Sequence, residues 1–138
     1  MIDSRIEKVD LALGALGPEQ LSRKAALWQW AYREMLHETL TGMHQLSHVV
    51  GIAEQVADVW REPVDVIEPE RPYMERAALA DRRLPQVRDG LGDAGDAGDR
   101  VRLWRLGYAN LIAATLQGMH ALAGKHRIER HTAAAWWN

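Results

Sequence analysis

The stretch "TLTGMHQL", Thr39 to Leu46, returns almost unchanged as "TLQGMHAL", Thr115 to Leu122, at a distance of 76 positions along the chain. Extending the comparison at this offset pairs residues 27–62 with residues 103–138, and 12 of the 36 pairs are identical without a gap. Unrelated segments of average composition would share about two or three identities over this length. The sequence therefore predicts an internal duplication.

Each copy has the pattern of a long helix with no proline in its interior. The first long helix is predicted to begin after Gly17, with Pro18 at its first position, and to run to about Arg61. The second is predicted to begin near Asp99, a residue type that caps helix N-termini well, and to run almost to the C-terminus.

A shorter helical segment precedes each long helix, at about Asp3–Leu16 and at about Pro72–Leu91, and Pro85 is expected to kink the second one. The four segments predict an all-α fold, an antiparallel four-helix bundle of two short and two long helices, built from a duplicated helical hairpin. We expect a single domain over residues 1–138. Its parts are repeat 1 at about 1–62, a proline-rich linker at 62–72 and repeat 2 at about 73–138.

Most of the repeated residues fall on one face of a helical projection, as a shared packing surface requires. Gly42 and Gly118 lie inside this face, and a glycine there lets two helices approach closely. We therefore predict that the long helices cross near these two glycines. In the alternative interpretation, each glycine is merely tolerated and has no packing role.

Composition indicates a folded protein in a reducing compartment. The chain is 47% hydrophobic and 26% charged, which is typical of globular domains. It has no uninterrupted apolar run of 18 residues, so we expect no membrane span. The absence of cysteine excludes disulfides and thiolate metal sites, and fits a cytoplasmic protein. Arginine outnumbers lysine 14 to 3, which we interpret as the sign of a bacterial protein.

The two halves of the chain carry opposite charge. Residues 1–70 have a net charge of −6, and residues 71–138 have a net charge of +4. Opposite signs favour docking of the halves on each other. Nucleic-acid binding through Lys125, Arg127 and Arg130 is not expected, because the positive charge is sparse and can face the acidic linker instead.

A stripe of histidines with one glutamate is the candidate metal site. Its members recur at helical spacing on the first long helix, and imidazoles with a carboxylate are ligands for Zn, Fe or Mn. One more histidine of the second copy could complete it. The residues are Glu34, His37, His44, His48 and His120.

The projection argues against this site, because the stripe lies opposite the packing face and among polar residues. The second copy has Asn110 and Ala113 where the first has Glu34 and His37. The stripe resembles DinB-like bundles in having three histidines with a His-x-x-x-His pair, although ligands in that family come from different helices. We expect no cofactor, with Zn, Fe or Mn as the alternative. His44 and His120 occupy equivalent positions, which suggests either a second interface or a hydrogen bond to the backbone.

No catalytic motif stands out in the sequence. The chain lacks a phosphate-binding Gly-x-x-x-x-Gly-Lys loop, a Gly-x-Ser-x-Gly elbow and a cysteine nucleophile. Carboxylate pairs such as Glu34 and Glu38 do not complete the pattern of an all-α nucleotide pyrophosphatase. The Asp-rich stretch before the second long helix lacks the spacing of a calcium loop.

Tryptophan and apolar helix surface point to an interaction protein. Every aromatic residue is Trp or Tyr, the types favoured at protein interfaces. We assign Trp28, Trp104 and Trp137 to interfaces. The segment Leu103–Ala123 is apolar over most of its circumference, as in a central helix or one shared with another chain. The sequence thus predicts a non-enzymatic helical interaction or assembly protein, a homodimer or a partner of another protein. The alternative is a bundle that binds a metal or a small molecule through the histidine stripe.

Overall fold

The computed structural model describes residues 4–59, 79 and 81–133. Every regular element within these ranges is helical, which confirms the all-α class. None of the described helices is long and apolar enough to cross a membrane. The helices are α1 (Ser4–Ala15), α2 (Leu21–Val49), a 3-10 turn (Ala57–Val59), α3 (Leu84–Gly92), α4 (Ala97–Lys125) and α5 (Glu129–Thr132).

The two long helices, α2 and α4, correspond residue by residue. Each has 29 residues, and both ends of α4 lie 76 positions after the ends of α2. They run antiparallel, because Trp28 near the start of α2 reaches Met119 near the end of α4, and Trp104 reaches Met43 in the same way.

Both long helices end earlier than predicted, and they end in the same way. The residue after each C-cap adopts a left-handed conformation, Gly51 with φ 76° and Arg127 with φ 59°. The amides of Ile52 and Ile128 then bond back to the carbonyls of Ser47 and Ala123, at 2.9 and 3.0 Å. This Schellman arrangement satisfies the last carbonyls and turns the chain away. The expected continuations to Arg61 and towards the C-terminus were therefore wrong.

The helix starts also differ in detail from the predictions. Asp96 rather than Asp99 caps α4, since its Oδ1 accepts a hydrogen bond of 2.8 Å from the Asp99 amide. Pro85 stands in the first turn of α3, where its missing N–H costs nothing, and therefore does not kink the helix. Pro18 lies before α2, which begins at Leu21. The proline-rich linker at 62–72 lies outside the described residues.

The core has two adjoining parts around the long helices. One joins α1 to the first half of α2 and the last part of α4, and includes Trp28 and Met119. The other joins α3 to the last part of α2 and the first half of α4, and includes Met43 and Trp104. Each short helix contacts both long helices. Burial of large side chains along both helices supplies the main stabilisation.

At Gly42 and Gly118, a side chain of a short helix packs against the long helix. This differs from the prediction that the two long helices cross at these glycines. A Cβ at Gly42 would collide with Cδ1 of Leu84 from α3, and one at Gly118 would lie 2.6 Å from Cδ1 of Ile6 from α1. In each case the nearest atoms belong to the short helix and none to the other long helix. The side chains nearest to Gly42 and Gly118 thus come from α3 and α1.

Candidate functional site

A buried polar cluster lies where α1, the start of α3, and both long helices meet. Arg5 and Asp81 form its ion pair, with Nη2 and Oδ2 3.4 Å apart and both side chains almost fully buried. Arg5 also donates to Thr115 Oγ1 at 2.9 Å and to Thr39 Oγ1 at 3.3 Å. Thr39 in turn donates to Asp81 Oδ2 at 2.8 Å. The cluster thus ties four helical elements together.

Arg83 completes the cluster from its edge. Its Nε and Nη2 donate to the two oxygens of Asp81, both at 2.9 Å. Burial raises the pKa of Asp81, but the hydrogen bonds from Arg83, the charge of Arg5 and the bond from Thr39 together lower it below its ordinary value. Asp81 is therefore ionised and bonded on both oxygens. Both of its oxygens accept hydrogen bonds from neighbouring side chains. We therefore interpret the cluster as one that stabilises the fold.

Sequence reasoning did not find this cluster. Its threonines belong to the repeated motif, whereas Arg5 and Asp81 lie before the compared segments. One signal was available: Arg5 and Asp81 are also 76 positions apart, so they occupy corresponding places in the two halves. Because arginine and aspartate are different residues, a search for identical pairs at this offset does not reveal them.

The five residues proposed for a metal site do not converge. His44 and His48 lie together, with Nε2 atoms 3.3 Å apart. Glu34 is buried, His37 is half-buried on the same helix, and His120 is exposed on α4. Among the residues described, no group of three or more His, Cys, Asp or Glu side chains is placed to hold a metal ion. The arrangement offers a two-histidine pair at the surface.

Two of the three tryptophans assigned to interfaces lie inside the chain. Trp28 and Trp104 are fully buried and stack on Tyr32 and Tyr108. Their indole N–H groups donate to the carbonyls of Met119 and Met43, both at 3.0 Å. The contact that they form joins α2 to α4. Trp137 lies outside the described residues.

The outer face of α4 is an exposed surface without charged residues. No Asp, Glu, Lys or Arg occurs between residues 106 and 124. The exposed positions follow helical spacing and carry mainly small or amide side chains. We define the outer face of α4 by Leu106, Ala109, Asn110, Ala113, Gln117, His120, Ala121 and Gly124.

This face differs from the corresponding one on α2. Leu106 is 56% exposed, whereas Trp30 at the equivalent position of α2 is 2% exposed. Asn110 is exposed, whereas its equivalent, Glu34, is buried. Since the first half of this face is buried or half-buried on α2 and exposed on α4, the outer face of α4 is the better candidate for contact with another chain.

Comparison with known proteins gives no relative from which a function could be transferred: no family model matches this chain, and no curated protein or solved structure matches it significantly.

Proposed function

We propose that this protein is a non-enzymatic helical interaction and assembly protein that acts as a homodimer, joined through the outer face of α4. The observation that carries the proposal is the exposed, uncharged surface over residues 106–124. A surface helix of a soluble domain normally carries charged residues on its outward side. Their absence over five turns is typical of a face that another chain covers.

A second copy is the occupant that this face suits best. A face without charge has no need of an oppositely charged partner, and a twofold axis would place the face against itself. Ala113 lies in the middle of the face, so its two copies would meet near the axis. Asn110 and Gln117 lie one turn to either side, where their amides can hydrogen-bond across the axis.

We also propose that the domain is an antiparallel four-helix bundle that arose by duplication of a helical hairpin. The supporting observations are the equal lengths of α2 and α4, their matching C-terminal turns, and the reciprocal bonds of Trp28 and Trp104. In this scheme α1 and α3 are the short helices of the two hairpins. The duplication would also explain why each short helix packs on a glycine of the repeated motif, at Gly42 and at Gly118.

Engineered cysteines test the dimer, because the natural chain has none. Ala113→Cys should give a disulfide-linked dimer under mild oxidation, since its two copies lie near the proposed axis. Ala26→Cys is the matched control, as Ala26 is an exposed alanine on the other long helix. It should stay monomeric on a non-reducing gel.

The wild-type mass gives the second readout. Light scattering should yield twice the 15.6 kDa of one chain, and Ala113→Glu should yield one chain while far-UV circular dichroism stays unchanged. A wild-type monomer at about 100 μM, where even weak specific contacts form, would refute the dimer. A dimer that survives Ala113→Glu would place the interface elsewhere.

The alternative hypothesis, a metal-bound bundle, is tested on the same sample. Elemental analysis of untagged protein prepared without chelator should show one equivalent of Zn, Fe or Mn if the histidine stripe is a native site. That metal should be lost in His44→Ala. The two-histidine pair would need ligands beyond those that the described residues bring together.

A further inference from the structure

A basic pocket lies where the start of α2 meets the end of α4. Its volume is about 360 Å³. Three of its lining side chains are lysine or arginine and none is acidic. The lining residues are Pro18, Leu21, Lys24, Lys125, His126 and Arg127.

Lys24 is the central group of this pocket. Its side chain is buried, with the residue only 6% exposed. Within the described part of the chain, its ammonium has one hydrogen-bond partner, His126 Nδ1 at 3.3 Å. A buried ammonium without a negative partner is costly, because the low-dielectric interior does not replace its hydration. None of the described residues supplies an anion to the Lys24 ammonium.

His126 bridges Asp10 and Lys24 through its two ring nitrogens. Its Nε2 lies 2.7 Å from Asp10 Oδ1. A carboxylate only accepts hydrogen bonds, so Nε2 carries the hydrogen and donates it. In the tautomer whose one hydrogen is on Nε2, Nδ1 accepts from Lys24 and the ring adds no charge to the pocket. Asp10 also accepts from Lys125 Nζ at 2.7 Å.

Counting charges around the pocket leaves an excess of two positive charges. Lys24, Lys125 and Arg127 contribute three, and Asp10 is the one carboxylate that bonds to this group among the described residues. Hydrogen bonding to Lys125, against a smaller effect of burial and helped by His126, lowers the pKa of Asp10 below its ordinary value. Asp10 is thus an anion that already accepts hydrogen bonds from Lys125 and His126.

Two features of the backbone add to this preference for an anion. Arg127 occupies a left-handed position, φ 59°, where the corresponding residue of α2 is Gly51. Glycine adopts this conformation freely and arginine does not, so the arginine is held there against its backbone preference. The N-cap residue of α2, Gln20, makes no side-chain cap hydrogen bond to the first turn of the helix.

The basic residues at the end of α4 have no counterpart at the end of α2. The positions that correspond to Lys125, His126 and Arg127 are Val49, Val50 and Gly51. Both long helices end in the same turn, but only the turn of α4 carries these three residues. They are therefore a property of this site and not a requirement of the turn.

We propose that this pocket binds the phosphate group of a small organic phosphate monoester. A doubly charged phosphate matches the excess of two positive charges, and lysine and arginine are its usual ligands. Pockets of about 300 Å³ and above accommodate metabolites rather than a bare ion. The apolar side chains of Pro18 and Leu21 provide a surface for the organic part.

A small ligand fits better than a nucleic-acid backbone. Phosphates of a duplex are contacted by exposed lysines and arginines along a surface. Lys24 is 6% exposed and lies inside the cavity, where a terminal phosphate can reach it and a continuous backbone cannot. Binding of oligonucleotides is therefore an alternative that the experiment must distinguish.

Isothermal titration calorimetry with phenyl phosphate on the full-length chain tests the site. We expect saturable one-to-one binding, weaker binding of inorganic phosphate, and no binding of phenol. Lys24→Met should weaken phenyl phosphate binding about tenfold or more, because it removes a charged hydrogen-bond donor. Arg100→Met is the matched control, since Arg100 is the equivalent residue of α4 and lies outside the pocket. It should bind like the wild type.

Arg127→Gly separates binding from folding. It installs the residue that the other half has at this position, so the variant should be at least as stable as the wild type. It should nevertheless bind phenyl phosphate about tenfold more weakly. Loss of affinity without loss of stability is a result that a purely structural arginine would not give.

Three results would overturn the proposal. The first is no heat with phenyl phosphate up to about 10 mM, as expected if the acidic residues at 62–70 neutralise the pocket. The second is unchanged affinity in both Lys24→Met and Arg127→Gly. The third is binding of an unphosphorylated oligonucleotide without any binding of phenyl phosphate, which would make the basic residues a nucleic-acid surface.

Discussion

Arg5 and Asp81 stand 76 positions apart in the chain and are each other's buried ion-pair partner. The same separation relates α2 to α4, so the two residues occupy corresponding places on the two sides of the molecule. Thr39 and Thr115, which correspond in the same way, both accept a hydrogen bond from Arg5. At the centre of the fold, one pair of equivalent positions thus carries the same residue, threonine. The other pair carries opposite charges.

This complementarity has a physical consequence for the proposed duplication. In an assembly of two identical hairpins, this position would place arginine near arginine or aspartate near aspartate, and either pair would be buried with like charges. Joining the copies in one chain allows them to diverge independently. An arginine in one copy and an aspartate in the other can then stabilise a contact that identical copies could not make.

Asp81→Asn should strongly destabilise the fold. The substitution keeps the size of the side chain but leaves the buried Arg5 without its counter-ion, which costs about 3–5 kcal/mol. Urea denaturation at pH 7, followed by far-UV circular dichroism, measures the loss. Asp58→Asn is the control, because Asp58 pairs with Arg105 at the exposed surface. An Asp81→Asn variant as stable as the control would show that the cluster contributes little.

Acid should reduce the stability difference between wild type and Asp81→Asn. The pKa of Asp81 in the folded protein is below its ordinary value of 3.8. A carboxyl group with a lowered pKa stabilises the fold fully above that ordinary value and loses its contribution as the pH falls through the folded pKa. Urea midpoints between pH 7 and pH 2 should therefore converge below about pH 4. A constant difference across that range would exclude ionisation of Asp81 as the cause.

Trp28→Phe should cost more stability than Trp30→Phe. Both indoles are buried, but Trp28 Nε1 donates to the Met119 carbonyl, whereas Trp30 Nε1 has no hydrogen-bond partner among the described residues. Both substitutions remove similar volume, so the difference between them reports the hydrogen bond, about 1 kcal/mol. Chemical denaturation of the two variants measures it. Trp104→Phe should resemble Trp28→Phe, since its bond to Met43 is equivalent; equal costs for Trp28 and Trp30 would contradict this assignment.

The repeat and the helical periodicity were sufficient to predict the all-α class and α1. The predicted range Asp3–Leu16 is within one residue of Ser4–Ala15 at each end. The C-terminus of α2 was partly visible, because Gly51 is a common residue at a left-handed C-terminal turn. The equivalent end of α4 was hidden, because Arg127 carries no local sign of that conformation.

The polar sites were beyond sequence reasoning for a different reason. The Arg5–Asp81 pair and the basic pocket join residues that are far apart in the chain, such as Lys24 and Arg127. Periodicity reports which face of a helix is buried, but it does not report which distant side chain meets that face. The histidine stripe had the opposite character: it was conspicuous in the sequence because four of its five residues share α2, but no three ligand side chains come together among the described residues.

Gly118→Ala should destabilise the protein, whereas Gly124→Ala should stabilise it. Both glycines lie in α4, so each substitution gains about 0.5–1 kcal/mol of helix propensity. At Gly124 the nearest atom to the new Cβ is Glu129 Oε1 at 3.6 Å, which is ordinary contact. At Gly118 the methyl group would lie 2.6 Å from Ile6 Cδ1, so α1 or its side chain must move, at a cost of about 1–3 kcal/mol. Thermal denaturation should therefore move the two midpoints in opposite directions. Adding Ile6→Val to Gly118→Ala should recover part of the loss, because it removes Cδ1, the nearer of the two Ile6 atoms in conflict. A Gly118→Ala variant as stable as Gly124→Ala would mean that α1 does not rest on this glycine.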